Sequence, residues 1–199
     1  MSDIEFNKSI KIILLGETST GKTNLINSFF DIPFDTKSRS TIAPNLSQKV
    51  IVINEHSYTI NMWDTVGQER YHSITKHFIN GSNIIILVYD ICNEESFNKL
   101  TYWDNSVRDI LGDDIILGIC GNKKDLVSNK TVEKQKGIEF AESKGALFAE
   151  TSAKNDPKGF QQFVAQLVEK YLDKNGIKIN DSKKLFPELN SNKKKKCFC

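Results

Sequence analysis

Gly16-Glu17-Thr18-Ser19-Thr20-Gly21-Lys22-Thr23 fits the spacing G-x-x-x-x-G-K-[ST], and it lies between a β-branched run, Ile10 to Leu15, and a helical pattern, Lys22 to Phe30. In that context such a loop wraps backbone N–H groups around a β-phosphate at a helix N-terminus. Lys22 would reach the β and γ oxygens, and the Thr23 hydroxyl would meet Mg²⁺. ATP-consuming enzymes and nucleotide kinases share this loop, so it establishes a phosphate site and leaves the base and the reaction open.

Working outward, short β-branched runs recur at Ile10 to Leu15, Lys49 to Asn54, Tyr58 to Trp63, Ile84 to Asp90, Ile115 to Cys120 and Leu147 to Glu150. Helical patterns lie among them at Lys22 to Phe30, Glu94 to Leu111, Thr131 to Lys144 and Pro157 to Leu172. In the last, Phe160, Phe163, Val164, Leu167 and Val168 form one apolar stripe. Strand and helix alternate, which predicts an α/β fold with a mostly parallel sheet and right-handed crossovers. The exception is Lys49 to Trp63, where only Asn54-Glu55-His56-Ser57 joins two strands, a hairpin-length connection that makes this pair antiparallel. In a sheet of this kind the ligand sits beyond the C-terminal strand ends.

The motifs after the other strands narrow the ligand. Asp64-Thr65-Val66-Gly67-Gln68-Glu69 offers a strand-terminal carboxylate for a metal and a Gly67 N–H for a γ-phosphate. Gly121-Asn122-Lys123-Lys124-Asp125 offers a carboxylate suited to base recognition. Guanine presents N1–H and the exocyclic N2–H₂ as adjacent donors, which one carboxylate accepts together, and adenine has no such pair. Asp125 therefore selects guanine. Glu150-Thr151-Ser152-Ala153-Lys154 adds an Ala153 backbone N–H for guanine O6 and a Lys154 stem to cover the ring.

The chain has 199 residues, 39% hydrophobic and 26% charged, enough for one globular domain with a sizeable core. Its formal net charge of +2 is too small for a nucleic-acid-binding field. The charge is unevenly placed. Asp181 to Cys199 carries six Lys against one Asp and one Glu, a local +4, leaving residues 1–180 with 21 basic against 23 acidic residues. The longest apolar run, Ile84 to Tyr89, is far short of the ~20 residues that span a bilayer. Met1 to Phe6 lacks the basic and apolar regions of a secretory signal, so the expected setting is the cytosol with reduced thiols. Cys92 and Cys120 each close an apolar run and read as small core residues.

Four motifs in order, each after a strand, make the sequence resemble a small GTPase of the Ras superfamily. Within it, Trp63-Asp64-Thr65-Val66-Gly67-Gln68-Glu69-Arg70-Tyr71, Ser73-Ile74-Thr75, Leu87-Val88-Tyr89-Asp90-Ile91 and Glu95-Ser96-Phe97 with Trp103 resemble Rab-family segments. The resemblance implies a P-loop GTPase fold, a six-stranded mostly parallel sheet with one antiparallel strand flanked by five helices. It implies nucleotide contacts from Gly16, Thr18, Ser19, Thr20, Gly21, Lys22, Thr23 and Asn24 in the first loop, and from Gly67. Asn122, Lys123, Asp125, Ser152, Ala153 and Lys154 would surround the base, with Phe34 against its edge. Thr23, Thr41 and Asp64 would hold Mg²⁺, Thr41 only when a γ-phosphate is present, and Gln68, Lys22 and Thr41 would serve GTP hydrolysis to GDP and phosphate.

The resemblance further implies an exchange factor, a GTPase-activating protein, effectors of the GTP state, a prenyl-transfer escort and a GDP-dissociation inhibitor, acting on a monomer. Cys197-Phe198-Cys199 resembles the family's doubly prenylated terminus, and Lys193 to Lys196 would add attraction to an anionic leaflet. The expected organisation is a G domain over 1–173 and a disordered basic tether over 174–199, with the protein divided between cytosol and the cytoplasmic face of an endomembrane or the plasma membrane. Three stretches depart from the family pattern: Ala43-Pro44-Asn45 after Thr41, Val66 before Gly67, and Thr18-Ser19 where Ser and Gly are common. They keep a GTP-locked, non-hydrolysing scaffold in view as the alternative, beside an ATP-dependent enzyme that Asp125 and Lys154 oppose.

Overall fold

The computed structural model describes residues 8–35, 41, 44–54, 56–65 and 77–179. Six strands form one sheet: β1 (Lys8–Leu15), β2 (Asn45–Ile53), β3 (His56–Asp64), β4 (Ile84–Asp90), β5 (Ile116–Asn122) and β6 (Leu147–Glu150). Their spatial order is β2-β3-β1-β4-β5-β6, with β2 antiparallel to β3 and every other pairing parallel. The named helices are α1 (Lys22–Phe29), α2 (Glu94–Asn98), α3 (Leu100–Leu111), α4 (Lys134–Ser143) and α5 (Pro157–Lys174). This is the α/β architecture that the alternation predicts, including the single antiparallel strand.

Period-2 side-chain alternation sorts the apolar runs onto two faces. Along β1, Ile10, Ile12 and Leu14 join Leu25 and Phe29 of α1 and Phe160, Phe163 and Leu167 of α5 in one core. Ile13 and Leu15 turn to the other core, with Leu100, Trp103 and Val107 of α3 and Ala141 of α4. β4 splits the same way, Ile84, Ile86 and Val88 against Ile85, Leu87 and Tyr89. A central strand buried on both sides favours a near-continuous apolar run, as in Ile12 to Leu15 of β1 and Ile84 to Tyr89 of β4. Edge strand β2 buries Ile51 and Ile53 and exposes Val50 and Val52, the one-sided pattern of an antiparallel edge.

Local differences from the sequence reading have local causes. The hairpin connection is two residues rather than four, because Ile53 pairs with His56 and Val52 with Ser57, and Asn54 takes the positive φ of 48° that such tight turns require. The helix expected over Glu94 to Leu111 is interrupted at Lys99, where ψ relaxes to −11°, although Lys99 N–H still donates to Glu95 O and Lys99 O still accepts from Trp103 N–H. The chain from Thr131 enters α4 late because the Thr131 and Val132 N–H groups donate to Ile91 O instead of starting a turn. Cys120 is buried as expected, whereas Cys92 is only half-buried, its Sγ facing Leu126 O. After α5, Gly176 (φ 75°) reverses the chain, Ile177 and Ile179 lie against the core, and Asn54 Nδ2 donates to Lys178 O. Among the described residues, no helix is long and apolar enough to cross a membrane.

Candidate functional site

The site is assembled at the C-terminal ends of β1, β3, β5 and β6. Gly16 follows β1 with φ 142°, and a Cβ there would lie 2.1 Å from Val88 O on β4, so only glycine lets the loop leave the sheet at this angle. Thr20 Oγ1 donates to Glu17 O at 2.9 Å, and the buried Lys22 Nζ donates to Gly16 O at 2.8 Å and Glu17 O at 2.9 Å. The lysine thereby staples the loop it emerges from. Gly21 (φ 91°) precedes α1, which has no side-chain cap and no acidic residue in its first turn, leaving a helix N-terminus fit for an anion. Ser19 adopts φ 65°, the left-handed region where glycine is favoured, so the departure noted in the sequence carries a backbone strain of about 1 kcal/mol.

Burial lowers the Lys22 pKa to about 8, against the opposing pull of Asp64 and Glu17. A phosphate gripped by Lys22 would need the cation. Below pH 8 the lysine is already charged in the nucleotide-free protein, and above it each binding event must take up a proton. Nucleotide affinity should therefore be flat up to about pH 8 and fall by up to roughly tenfold per pH unit above it, read from titrations between pH 7 and 9.5. A constant affinity across that range would place the phosphate grip elsewhere.

Thr23 at the start of α1, Thr41 ahead of β2 and Asp64 at the end of β3 converge on one point. Thr23 Oγ1 donates to Asp64 Oδ2 at 2.7 Å and lies 2.9 Å from Thr41 Oγ1, and Thr41 Oγ1 is 3.3 Å from the same carboxylate oxygen. Asp64 Oδ1 is buried and has no hydrogen-bond partner among the described residues. Desolvation raises the Asp64 pKa, offset by the Thr23 hydroxyl, the Lys22 charge and the Thr41 hydroxyl. One orphaned carboxylate oxygen beside two hydroxyls suits a hard divalent cation that completes its shell with phosphate oxygens and water, which is the usual manner of Mg²⁺.

Asn122 joins the two halves of the site. Its Nδ2 donates to Thr20 O at 2.9 Å across 102 residues of sequence, and its Oδ1 accepts from Ala153 N–H at 3.2 Å. Gly21 permits this close approach, because a Cβ there would stand 2.3 Å from Asn122 Nδ2. Asp125 is half-buried and accepts from Ser152 Oγ at 2.5 Å. Ser152 Oγ in turn accepts from the backbone N–H of Lys154 at 3.2 Å and of Asn155 at 2.9 Å. The carboxylate is thus oriented through a chain of donors. Lys123 (φ 67°) turns its ammonium to Asp90 Oδ2 at 2.7 Å, an ion pair that fixes the β5 loop to the end of β4.

Phe34 is 39% exposed and Lys154 is exposed, both open to a ligand from the rim. Gly67 and Gln68 fall outside the described residues, as do Lys193 to Lys196, Cys197 and Cys199. Two participants escaped the sequence reading. Asp90 stood out as the end of a strand and within a family-like segment but with no chemical role, and Gln161 of α5 had no signal, yet its Nε2 donates to Ser28 O, Phe29 O and Asp31 Oδ1 and ties the end of α1 to the core.

The loop around Lys22, the meeting of Thr23, Thr41 and Asp64, and the Asp125 carboxylate stand together at one end of this sheet, the arrangement of a P-loop fold, and the family model described as Ras family matches residues 11–173: the chain belongs to the Ras family. It is similar to Ras-related protein Rab-21 of Geodia cydonium, 37% identical over 165 residues that cover 83% of this chain and 72% of that one. It is also similar to Rab-11C (36%, covering 81% and 72%) and Rab-2B (34%, covering 86% of each) of Dictyostelium discoideum. The protein is a Rab-like small GTPase, a GTP/GDP-switched regulator of vesicle trafficking that hydrolyses GTP. Proteins of this family bind guanine nucleotide, generally with Mg²⁺, and act through regulators and effectors.

Proposed function

We propose that this chain times its signal by the meeting of Thr23, Thr41 and Asp64, the single observation that carries the reading. Thr23 and Asp64 sit on the rigid ends of α1 and β3, whereas Thr41 lies ahead of edge strand β2. With a γ-phosphate in place these three would hold Mg²⁺, which would supply neutralising charge to the phosphates. Lys22 would hold the same oxygens from the loop side, Gly16 and Thr18 to Asn24 would line the phosphates, and Gly67 would offer its N–H. Asp125 would fix guanine N1–H and N2–H₂, with Ser152 setting its angle, Asn122 and Lys123 shaping the loop, Ala153 facing O6, and Phe34 and Lys154 bounding the ring.

Gln68 orients the attacking water in this reading. Phosphoryl transfer asks the protein for position and electrostatics rather than covalent work. Without an arginine supplied in trans, sites of this kind turn over at roughly 10⁻⁴ per second. A GTPase-activating protein, an exchange factor and GTP-state effectors therefore belong to the cycle. The domain over 1–173 would be tethered by 174–199, with Cys197 and Cys199 prenylated, Lys193 to Lys196 on an anionic leaflet, and an escort and a GDP-dissociation inhibitor handling the lipids. The protein would then act as a monomer shuttling between cytosol and the cytoplasmic face of a membrane.

Single-turnover hydrolysis of preloaded GTP tests this directly. The expected result is slow hydrolysis, unaffected by excess ATP, and about tenfold slower in Gln68→Leu. Equal and negligible rates in both proteins would favour the GTP-locked scaffold, which no present observation supports. Displacement of GTP by ATP would overturn the guanine assignment.

A further inference from the structure

Glu17, the second residue of the phosphate loop, has no assigned contact with nucleotide, yet three interactions meet on it. Its backbone carbonyl accepts from Thr20 Oγ1 and Lys22 Nζ, each at 2.9 Å. Its half-buried carboxylate accepts from Trp103 Nε1 at 3.3 Å, across 86 residues of sequence. Trp103 is 2% exposed and belongs to the core that Leu15 and Leu100 also build, so the indole is a fixed point on α3.

The arrangement answers two demands. A buried indole N–H requires an acceptor. A carboxylate beside a phosphate site is a liability unless it is turned away, because like charges repel strongly where water is scarce. The hydrogen bond meets both, drawing the carboxylate toward α3 while the carbonyl of the same residue stays in the ring closed by Lys22. The negative charge remains near enough to Lys22 to oppose the desolvation of its ammonium.

We propose that Glu17 and Trp103 form a positioning pair that fixes the phosphate loop to α3 and so sets the rate at which guanine nucleotide is released. The proposal rests on the reading that this loop holds the nucleotide phosphates. Neither side chain touches the reacting atoms. They act through the loop backbone and Lys22.

The test is release of a fluorescent GDP analogue from the full chain with Mg²⁺ present, measured for Trp103→Phe, Glu17→Ala, the double variant and Glu17→Gln. Trp103→Phe keeps an aromatic ring and lacks the donor, so release should quicken roughly tenfold, the loss expected for one hydrogen bond to a charged acceptor. Glu17→Ala should do the same, and the double variant should be no faster than either alone. Glu17→Gln still offers an oxygen to the indole and should recover most of the loss. Should the core substitution unfold the chain, Glu17→Ala against Glu17→Gln carries the comparison. Release at the wild-type rate from Glu17→Ala, additive effects in the double variant, or no recovery in Glu17→Gln overturns the pair. A wild-type chain that retains no GDP overturns the nucleotide reading instead.

Discussion

Asp125→Asn should lower affinity for GDP and GTP by about a thousandfold, measured by titration with either nucleotide at neutral pH. The carboxylate is the one charged acceptor in the stretch Gly121 to Asp125, able to accept from two neighbouring donors, and Ser152 Oγ holds it in line at 2.5 Å. The carboxamide keeps one acceptor for Ser152 or for one guanine donor and turns an NH₂ toward the other. A charge-assisted hydrogen bond is worth about 1.5–3 kcal/mol and an opposed, unsatisfied donor costs a further 1–3 kcal/mol. Their sum, near 4 kcal/mol, corresponds to roughly three decades in Kd. Ser152 and Asn122 remain, so the loop itself should persist and thermal unfolding without nucleotide should change little. An affinity within tenfold of wild type would remove Asp125 from base recognition.

Lys22→Met should have an effect of similar size, through the phosphates. The ammonium is buried and donates to Gly16 O and Glu17 O, which leaves its third N–H for a phosphate oxygen. Its pKa is lowered from 10.5 to about 8, so holding it charged at pH 7 costs the folded chain roughly 3 kcal/mol. The sign matters. The folded-state value lies below the unfolded one, so this cost is fully present below about pH 8 and disappears above 10.5 as the unfolded lysine also loses its proton. Methionine keeps the stem and removes the buried charge, while two loop carbonyls lose their donor. These effects oppose each other, and the nucleotide-free protein should melt close to the wild-type temperature. The stabilisation that GDP and Mg²⁺ confer on the wild type should vanish. A variant that retains it would place the phosphate grip on the loop backbone alone.

The apolar run of β4, and that of β1 from Ile12 to Leu15, made the centre of the sheet legible, because a strand segment buried on both faces leaves a near-continuous apolar signature. The loop from Gly16 to Thr23 and the later stretches at Asp64, Asn122 to Asp125 and Ser152 to Lys154 stood out in the sequence because each is a contiguous peptide whose residue types suit one chemical task. The helix interruption at Lys99 did not. Propensity and period run straight through it, and packing of Phe97 and Leu100 into one core decides where the turn loosens. Cys92 lies against the core but only half-buried: in the turn after β4, Ile91 takes the buried place while Cys92 sits at its margin.

By itself the sequence determined the inventory: a glycine-rich loop with Lys22 and Thr23, an Asp at the end of a strand, an Asn and an Asp in one turn, and strands and helices in alternation. Tertiary structure alone decided which of these act together. Thr23, Thr41 and Asp64 meet within 3.3 Å because β1 lies beside β3 in parallel register. Asn122 reaches Thr20, and Lys123 turns to Asp90, because β5 pairs with β4 and stands one strand from β1. Glu17 finds Trp103 only across the layer between loop and helix. Local residue patterns report local backbone preference and burial. Strand order and register, which bring residues a hundred positions apart within hydrogen-bonding distance, emerge only when the whole core is packed.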